Sequence, residues 1–369
     1  MNKQQRLVVL IAILASFVSF LDGSIITVAL PSISKDLGGG LALQQWVVDS
    51  YLITLGSLIL VAGSVSDLFG RKNVIKAGLI GFGVTSILCA LAPNGSLLII
   101  ARALQGIAGA LLVPSSLALI ISTFTGRQQG KAIGTWTAWT GVAFIVGPLA
   151  GGILVDIASW QWIFLLNVLP IGVTLWLLSK LGPEERQKRD AALDVRGACT
   201  GAIGLGATVF ALIEQGHYGW SHPLIYGTFL SGLALLAYFL RYEKHSTNPM
   251  LPLSLFQARN FSVGNIATVA IYAGLSVATF LITIFVQQYG NYSALTAGLM
   301  LMPPTLLMLL LSSRIGEMSA QYGPRFFMTV GPFVAALGFL SMIRVDESVN
   351  YWTQLFPGIF LFGLGLAIT

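Results

Sequence analysis

Long apolar runs alternate with short polar segments along the whole chain. The runs predict twelve membrane-spanning helices, at roughly residues 7–30, 44–64, 73–92, 97–122, 131–155, 162–180, 197–215, 222–241, 261–287, 295–313, 326–343 and 351–369. A helix needs about 20 apolar residues to cross the hydrocarbon core of a bilayer. The runs are continuous and do not alternate residue by residue, which excludes a transmembrane β-barrel. The pattern therefore predicts an all-α integral membrane protein.

Composition supports this prediction. Of the 369 residues, 55% are hydrophobic and only 9% are charged, and the mean hydropathy is +0.82. Soluble domains carry about 25% charged residues. Because a soluble chain so poor in charge could not cover its surface with polar groups, the surroundings of this chain must be largely lipid.

The distribution of basic residues predicts the orientation. With the N-terminus in the cytoplasm, seventeen of the twenty Lys and Arg residues fall in inner segments, Lys35 and Arg344 fall in outer ones, and Arg102 lies inside a span. This bias follows the positive-inside rule. The net charge of +6 thus reflects topology, and no clustered basic face suggests nucleic acid. We interpret residues 1–30 as a retained first span, because the apolar run contains Asp22 and has no small-residue cleavage site.

Two ten-residue segments resemble each other. Residues 63–72 and 316–325 both follow an outer-to-inner span, and they share aligned glycine, serine, aromatic and basic positions: Gly63, Ser66, Phe69, Gly70 and Lys72 with Gly316, Ser319, Tyr322, Gly323 and Arg325. Duplicated halves are common in transporters. The alternative is two Gly-rich turns of similar composition.

The repeat divides the chain into three parts. Residues 1–180 form a predicted six-helix bundle. Residues 181–260 contain a charged cytoplasmic linker, most polar at 181–196, and two additional spans. Residues 261–369 hold four helices of a second bundle, which predicts that the last helices of that bundle are missing.

Several short motifs occur in a specific order. They are Leu21-Asp22-Gly23-Ser24 with Ala29-Leu30-Pro31 in the first span; Trp46 and Tyr51 in the second; residues 63–72; Arg102 with Gln105-Gly106 in the fourth; Gly141, Gly147-Pro148 and Gly151-Gly152 in the fifth; and Trp160 to Phe164 with Asn167 at the sixth. In this order they resemble the major facilitator superfamily, and within it the fourteen-span drug:proton antiporter subfamily. The resemblance covers essentially the whole chain.

The resemblance implies a major facilitator fold, with two pseudo-symmetric six-helix bundles and two extra central helices. It implies a multi-pass protein of the cytoplasmic membrane that exports drugs or other amphiphilic molecules in exchange for protons. The partners would be the small-molecule substrate, protons and the lipid bilayer; a periplasmic adaptor is left open. The energy source would be the proton gradient, with no cofactor, no metal and no enzymatic activity.

The resemblance also assigns roles to two motifs. The loop of Gly63, Asp67, Gly70, Arg71 and Lys72 would lock the two halves in one state of the transport cycle; as an alternative, it is a solvated turn in which Gly63 and Gly70 supply backbone freedom. The glycines at 141, 147, 151 and 152, with Pro148, would mark an exporter; as an alternative, they serve ordinary helix packing. The second copy of the loop has Ala320 where the first has Asp67.

Asp22 is the sharpest candidate for proton coupling. A charged side chain at the centre of a membrane helix costs about 2.5–3.5 kcal/mol on insertion scales, so such residues are usually functional or paired. At about 1.5 Å per residue, Asp22 lies roughly 12 Å and Arg102 roughly 9 Å below the outer ends of their spans. The resemblance implies that the first and fourth spans both line the central cavity. We therefore predict a charge pair or shared water network between Asp22 and Arg102, with Gln105 on the same face of the helix as Arg102. The alternatives are a neutral packing aspartate and an arginine that reaches the headgroups.

Other residues and other classes are weaker candidates. Asp49 and Glu214 lie near outer span ends and are interpreted as headgroup-level residues. Cys89 and Cys199 form no disulfide pattern. An ATP-driven pump is rejected, because the string from Gly126 to Ala132 is one residue short of a phosphate loop and ends in alanine. A dedicated exporter of one metabolite or self-made antibiotic, and a non-transporting sensor or scaffold, remain alternatives.

Overall fold

The computed structural model describes residues 2–182, 194–246, 249, 251–322, 324–344 and 350–369, whose regular secondary structure is entirely helical. The first half contains α1 (Lys3–Leu37), α2 (Gly40–Phe69), α3 (Arg71–Ala90), α4 (Gly95–Ala110), α5 (Leu112–Thr123), α6 (Gly126–Gly141), α7 (Ala143–Ile157), α8 (Gln161–Leu165) and α9 (Val168–Ser179). The second half contains α10 (Val195–Tyr218), α11 (Pro223–His245), α12 (Arg259–Gln288), α13 (Ala294–Met300), α14 (Met302–Tyr322), α15 (Pro324–Ser341) and α16 (Phe356–Ile368). Short 3₁₀ turns occupy Leu253–Gln257 and Met342–Arg344, and one π turn occupies Tyr351–Leu355.

Each predicted span overlaps one helix or two successive helices. In the described ranges, ten helical segments are long and apolar enough to cross a membrane, and Arg325–Ser341 is a shorter apolar helix. The predicted all-α membrane architecture is thus confirmed.

Prolines explain three of the interruptions within spans. Ala110 ends α4 four residues before Pro114, Met300 ends α13 four residues before Pro304, and Leu166, just after α8, lies four residues before Pro170. A proline lacks the amide hydrogen that would bond to the carbonyl four residues earlier, and its ring crowds that carbonyl, so the helix breaks there.

The chain forms two compact units. The first contains residues 1–23, 32–140 and 161–254, and its core is a cluster that includes Ile11, Val18, Phe82, Ile120 and Phe124. The second contains residues 24–31, 141–160 and 255–369, and its core includes Val286, Met300, Ile359 and Phe362. The three-part division at 180 and 260 stays a prediction, and residues 183–193 of the predicted linker lie outside the described residues.

The first copy of the repeated segment differs from the expected loop. Helix α2 continues through Gly63 to Phe69, and only Gly70, with φ of 86°, separates it from α3. Gly63 therefore supplies no turn, contrary to the solvated-turn alternative. A single glycine costs a helix only about 1 kcal/mol, whereas the positive φ of Gly70, which glycine adopts readily, ends the helix. In the second copy, Gly323 and the side chains of Ser319 and Ala320 lie outside the described part of the structure.

Candidate functional site

An ion pair joins Asp22 of α1 to Arg102 of α4, inside the first unit. The contact runs from Nη1 of Arg102 to Oδ2 of Asp22. Both side chains are buried, with exposed fractions of 1% for Asp22 and 0% for Arg102. The structure thus brings together the two residues that the sequence analysis pairs, and it buries Arg102 among protein atoms.

Arg102 is held on several sides. Its Nε donates to the backbone carbonyl of Val47 at 2.9 Å, and Nη1 also donates to Oε1 of Gln105 at 2.7 Å. Its guanidinium carbon lies 4.3 Å from the ring centroid of Tyr51 and 5.9 Å from that of Phe164. A cation over an aromatic face is stabilised by the ring quadrupole, most strongly where water is excluded.

The second oxygen of Asp22 accepts from two amides. Gln105 Nε2 donates to Oδ1 at 3.0 Å, and Asn167 Nδ2 donates to the same atom at 2.8 Å. Gln105 Nε2 also lies 2.9 Å from the hydroxyl of Ser86. The thiol of Cys89 lies 3.6 Å from Gln105 Oε1. These residues form one buried polar network, named here the Asp22 network: Asp22, Ser86, Cys89, Arg102, Gln105 and Asn167.

Local structure explains the positions of three members of this network: Arg102, Gln105 and Asn167. Arg102 and Gln105 are three residues apart on α4 and therefore share a face. A side chain on Gly106 would place its Cβ 2.1 Å from Thr54 Oγ1 and 2.3 Å from the Tyr51 carbonyl oxygen, so only glycine allows α4 to approach α2 closely enough for Arg102 to reach Val47. Asn167 lies in the break between α8 and α9 that Pro170 imposes.

The network holds a charge where charge is costly. Burying an ion pair is tolerated when additional hydrogen bonds satisfy the remaining donors and acceptors. Two atoms stay unsatisfied by any described residue, Arg102 Nη2 and Asn167 Oδ1. Adding a proton to Asp22 would remove the anion that Arg102 faces and leave a buried, uncompensated cation. The ionised form of Asp22 is therefore part of what holds α1 against α4 in this arrangement.

The loop motif is only partly described. Nζ of Lys72 donates to the carbonyl oxygens of Leu181, at 2.5 Å, and Gly182, at 3.3 Å, just beyond the end of α9. A cation favours the carbonyl-rich end of a helix. Gly70 forms the turn and Arg71 begins α3, whereas the side chain of Asp67 lies outside the described residues.

The exporter glycines lie in the second unit, and three of the four mark close contacts. A Cβ on Gly147 would meet Ser24 Oγ at 2.0 Å, one on Gly151 would meet Ile25 Cγ1 at 2.6 Å, and one on Gly152 would meet the Leu295 Cα at 2.3 Å. Pro148 also lies at a close helix contact, because its carbonyl oxygen is 2.7 Å from the position that a Cβ of Gly298 would occupy. Nothing lies within 4 Å of a Cβ on Gly141, which ends α6 where the fifth predicted span breaks.

Sequence reasoning omitted Asn167, Ser86 and Cys89 from the proposed site. Asn167 offered a signal, since a buried amide in an apolar run needs a partner. Ser86 and Cys89 offered none, because small polar residues are common in membrane helices. Among the described residues, no group of three or more His, Cys, Asp or Glu side chains could hold a metal ion.

A family model described as the Major Facilitator Superfamily matches residues 12–369. The chain belongs to this superfamily. It is 33% identical over 372 residues to the multidrug transporter protein MdtP of Bacillus subtilis, covering 100% of this chain and 68% of that protein. It is 34% identical over 366 residues to the puromycin resistance protein pur8 of Streptomyces alboniger, covering 98% of this chain and 72% of that protein.

Solved transporters share the fold. A crystal structure of the peptide transporter POT in complex with sulfate superposes with a TM-score of 0.68 at 14% identity, covering 100% of this chain and 80% of the other. An inward open conformation of the xylose transporter XylE from E. coli gives a TM-score of 0.62 at 15% identity, covering 98% of this chain and 80% of the other. The protein is therefore a multi-pass membrane transporter with the major facilitator fold.

Proposed function

We propose that the protein is a proton-coupled antiporter that exports drugs or other small amphiphilic molecules by alternating access. The observation that carries the coupling is the buried Asp22–Arg102 pair, because an intramembrane ion pair is costly and a proton can break it. The relatives named for multidrug transport and for resistance to puromycin and methylenomycin A support the choice of substrate class.

In this mechanism Asp22 carries the proton. While Asp22 is ionised, Arg102, Gln105 and Asn167 hold its carboxylate and fix α1 against α4. Protonation releases Arg102, whose freed donors turn to other acceptors, so the packing of α1 changes. Removing the proton restores the pair and completes the cycle. Each ligand then acts by its different affinity for the two states.

The wider organisation of the protein is part of this proposal. The N-terminus lies in the cytoplasm, because this placement keeps most Lys and Arg residues inside. Helices α10 and α11 are the two additional spans of the fourteen-span subfamily, between a bundle at residues 1–180 and a second bundle that starts at 261. The contact of Lys72 with the end of α9 supports a conformational role for its motif, and the tight packing at Gly147, Gly151 and Gly152 supports one for theirs.

The test uses inverted membrane vesicles with an acid interior. Amphiphilic compounds are added one at a time, and proton release is followed with a pH-sensitive dye for the wild type, Asp22→Asn and the control Asp36→Asn, an exposed acid of the same helix. Wild type and control should release protons on addition of substrate, and Asp22→Asn should not.

Equal signals from all three variants would remove Asp22 from the mechanism. A response of the wild type to a single compound of a broad panel would instead identify a dedicated exporter. No response from correctly inserted protein to any compound would favour the sensor or scaffold alternative.

A further inference from the structure

A groove of about 440 Å³ lies between α2 and α10, within the first unit. This volume falls in the range of small-molecule sites, about 300–1,000 Å³. The groove takes no part in the Asp22 network or in the proposed coupling. On the α2 side its lining includes Gln45, Asp49 and Ile53, which are four residues apart in sequence and so share one face of the helix.

The α10 side of the groove is apolar, with Leu205, Val209 and Leu212 along one face. Leu205 is 37% exposed and Leu212 is 49% exposed. On a membrane-spanning helix, such exposed leucines face lipid. The groove is therefore open to the surrounding bilayer along its α10 wall.

The two helices run antiparallel, which orders the groove from polar to apolar. The indole Nε1 of Trp46 donates to Glu214 Oε1 at 2.7 Å near the end of α10, whereas Ile53 meets the middle of α10, 3.8 Å from where a Cβ of Gly206 would be. Gln45 and Asp49 therefore lie at the end near Glu214. Ile53 lies about 6 Å further along α2 than Asp49, beside the apolar part of α10.

No described cation balances the two acids at the polar end of the groove, Asp49 and Glu214. Asp49 has no hydrogen bond or ion pair with a described residue. The amide of Gln45, one turn from Asp49, likewise has no described partner. A carboxylate that accepts from a cation and an amide that donates to an anion, about one turn apart, match a zwitterion whose apolar part continues along the leucines.

We propose that this groove binds a membrane phospholipid with a primary-amine headgroup, such as phosphatidylethanolamine. The ammonium donates to Asp49, the phosphodiester accepts from the amide of Gln45, and an acyl chain lies along Leu205 and Val209. An organic cation without a phosphate would leave Gln45 unused, and an anionic lipid would meet the uncompensated carboxylates. The proposal concerns lipid binding alone and does not depend on the transport mechanism.

The test is native mass spectrometry of the full chain in detergent, with titration of phosphatidylethanolamine and phosphatidylglycerol of identical acyl chains. Wild type and Asp36→Asn should bind phosphatidylethanolamine more tightly than phosphatidylglycerol. Asp49→Asn should weaken phosphatidylethanolamine binding by about tenfold, because hydrogen bonds to charged groups are among the stronger ones. It should strengthen phosphatidylglycerol binding, because it removes a carboxylate that repels this anionic lipid. Leu205→Trp, which fills the apolar end, should weaken both lipids.

Several results would overturn the proposal. One is unchanged phosphatidylethanolamine binding in Asp49→Asn; another is equal affinity of the wild type for the two lipids. A third is loss of tetraphenylphosphonium binding in Asp49→Asn while lipid binding persists, which would identify an organic-cation site. Should Asp49→Asn fail to fold, Gln45→Leu and Leu205→Trp decide the question, since each removes a different part of the same site.

Discussion

Asn167 donates a hydrogen bond of 2.8 Å from Nδ2 to Oδ1 of Asp22, across 145 positions of sequence. The acid that carries the proposed coupling is therefore oriented from two directions, by Arg102 on α4 and by an amide at the break between α8 and α9. Loss of either partner should alter Asp22, but in different ways, and this difference can be measured.

Replacement of Asn167 tests the amide contact. We expect Asn167→Leu to destabilise the protein by about 1.5–3 kcal/mol, because it removes a hydrogen bond to a charged group, and to slow substrate-dependent proton release. The measurements are thermal unfolding in detergent and the vesicle assay. The control Asn260→Leu, at an exposed position with no hydrogen bond to a described residue, should have little effect; equal effects of the two substitutions would contradict a role for the contact with Asp22.

Removal of the arginine tests the ion pair. We expect Arg102→Gln to cost about 3–5 kcal/mol, because it leaves Asp22 as a buried charge without a cation. The double variant Asp22→Asn with Arg102→Gln should recover most of that loss and still show no coupled transport. Unfolding measurements on the two single variants and the double variant form a thermodynamic cycle. Additive losses would show that the pair contributes nothing beyond its separate residues.

Gly106 tests the approach of α4 to α2. We expect Gly106→Ala to destabilise the protein by about 1–3 kcal/mol, because the new methyl group overlaps Thr54 and the backbone of Tyr51. Gly134→Ala is the matched control, since nothing lies within 4 Å of its Cβ and alanine favours the helix. A harmless Gly106→Ala would mean that the two helices can separate without cost.

Asp156 caps a helix of the second unit. Its two carboxylate oxygens accept from the backbone amides of Ala294 and Leu295, each at 3.1 Å, at the start of α13. We expect Asp156→Ala to destabilise this helix end by about 0.5–2 kcal/mol, seen as faster hydrogen exchange at residues 294–300. Asp36→Ala, which removes an exposed acid of the first unit, should leave that exchange unchanged. The hydroxyl of Ser293 also caps this helix, by accepting from the Thr296 amide at 3.2 Å. Unaltered exchange in Asp156→Ala would show that this second cap is sufficient by itself.

Much of the architecture could be predicted from sequence, because each membrane helix corresponds to a continuous apolar run of about 20 residues. The contact of Asp22 with Arg102 could also be predicted, since each is a rare charge in an apolar span and helical rise gives its depth. The depths alone do not show that the two spans are neighbours; that part of the prediction came from the resemblance to the family.

Features that depend on three-dimensional neighbours could not be predicted in the same way. Ser86 and Cys89 join the network only because α3 packs beside α4. The segment around Gly63 was expected to be a loop, but it is helical. Both Gly63 and Gly70 could have formed the turn, and the sequence does not show which of the two glycines ends the helix. The sequence predicts only that Asp49 lies at the level of the headgroups. Its place in a groove could not be predicted, because the groove forms only where α10 packs beside α2.

The burial of Cys89 provides a chemical reporter that needs little engineering. The chain has two cysteines, of which Cys199 is exposed and Cys89 is fully buried against Gln105. In a Cys199→Ser background, a maleimide can react only when Cys89 becomes accessible. Its rate of alkylation would therefore report how often the interior around Asp22 opens. Because maleimide reacts with the thiolate and its rate depends on pH by itself, the rate is compared at one pH with and without Asp22→Asn, which shows whether neutralising the acid changes the frequency of opening.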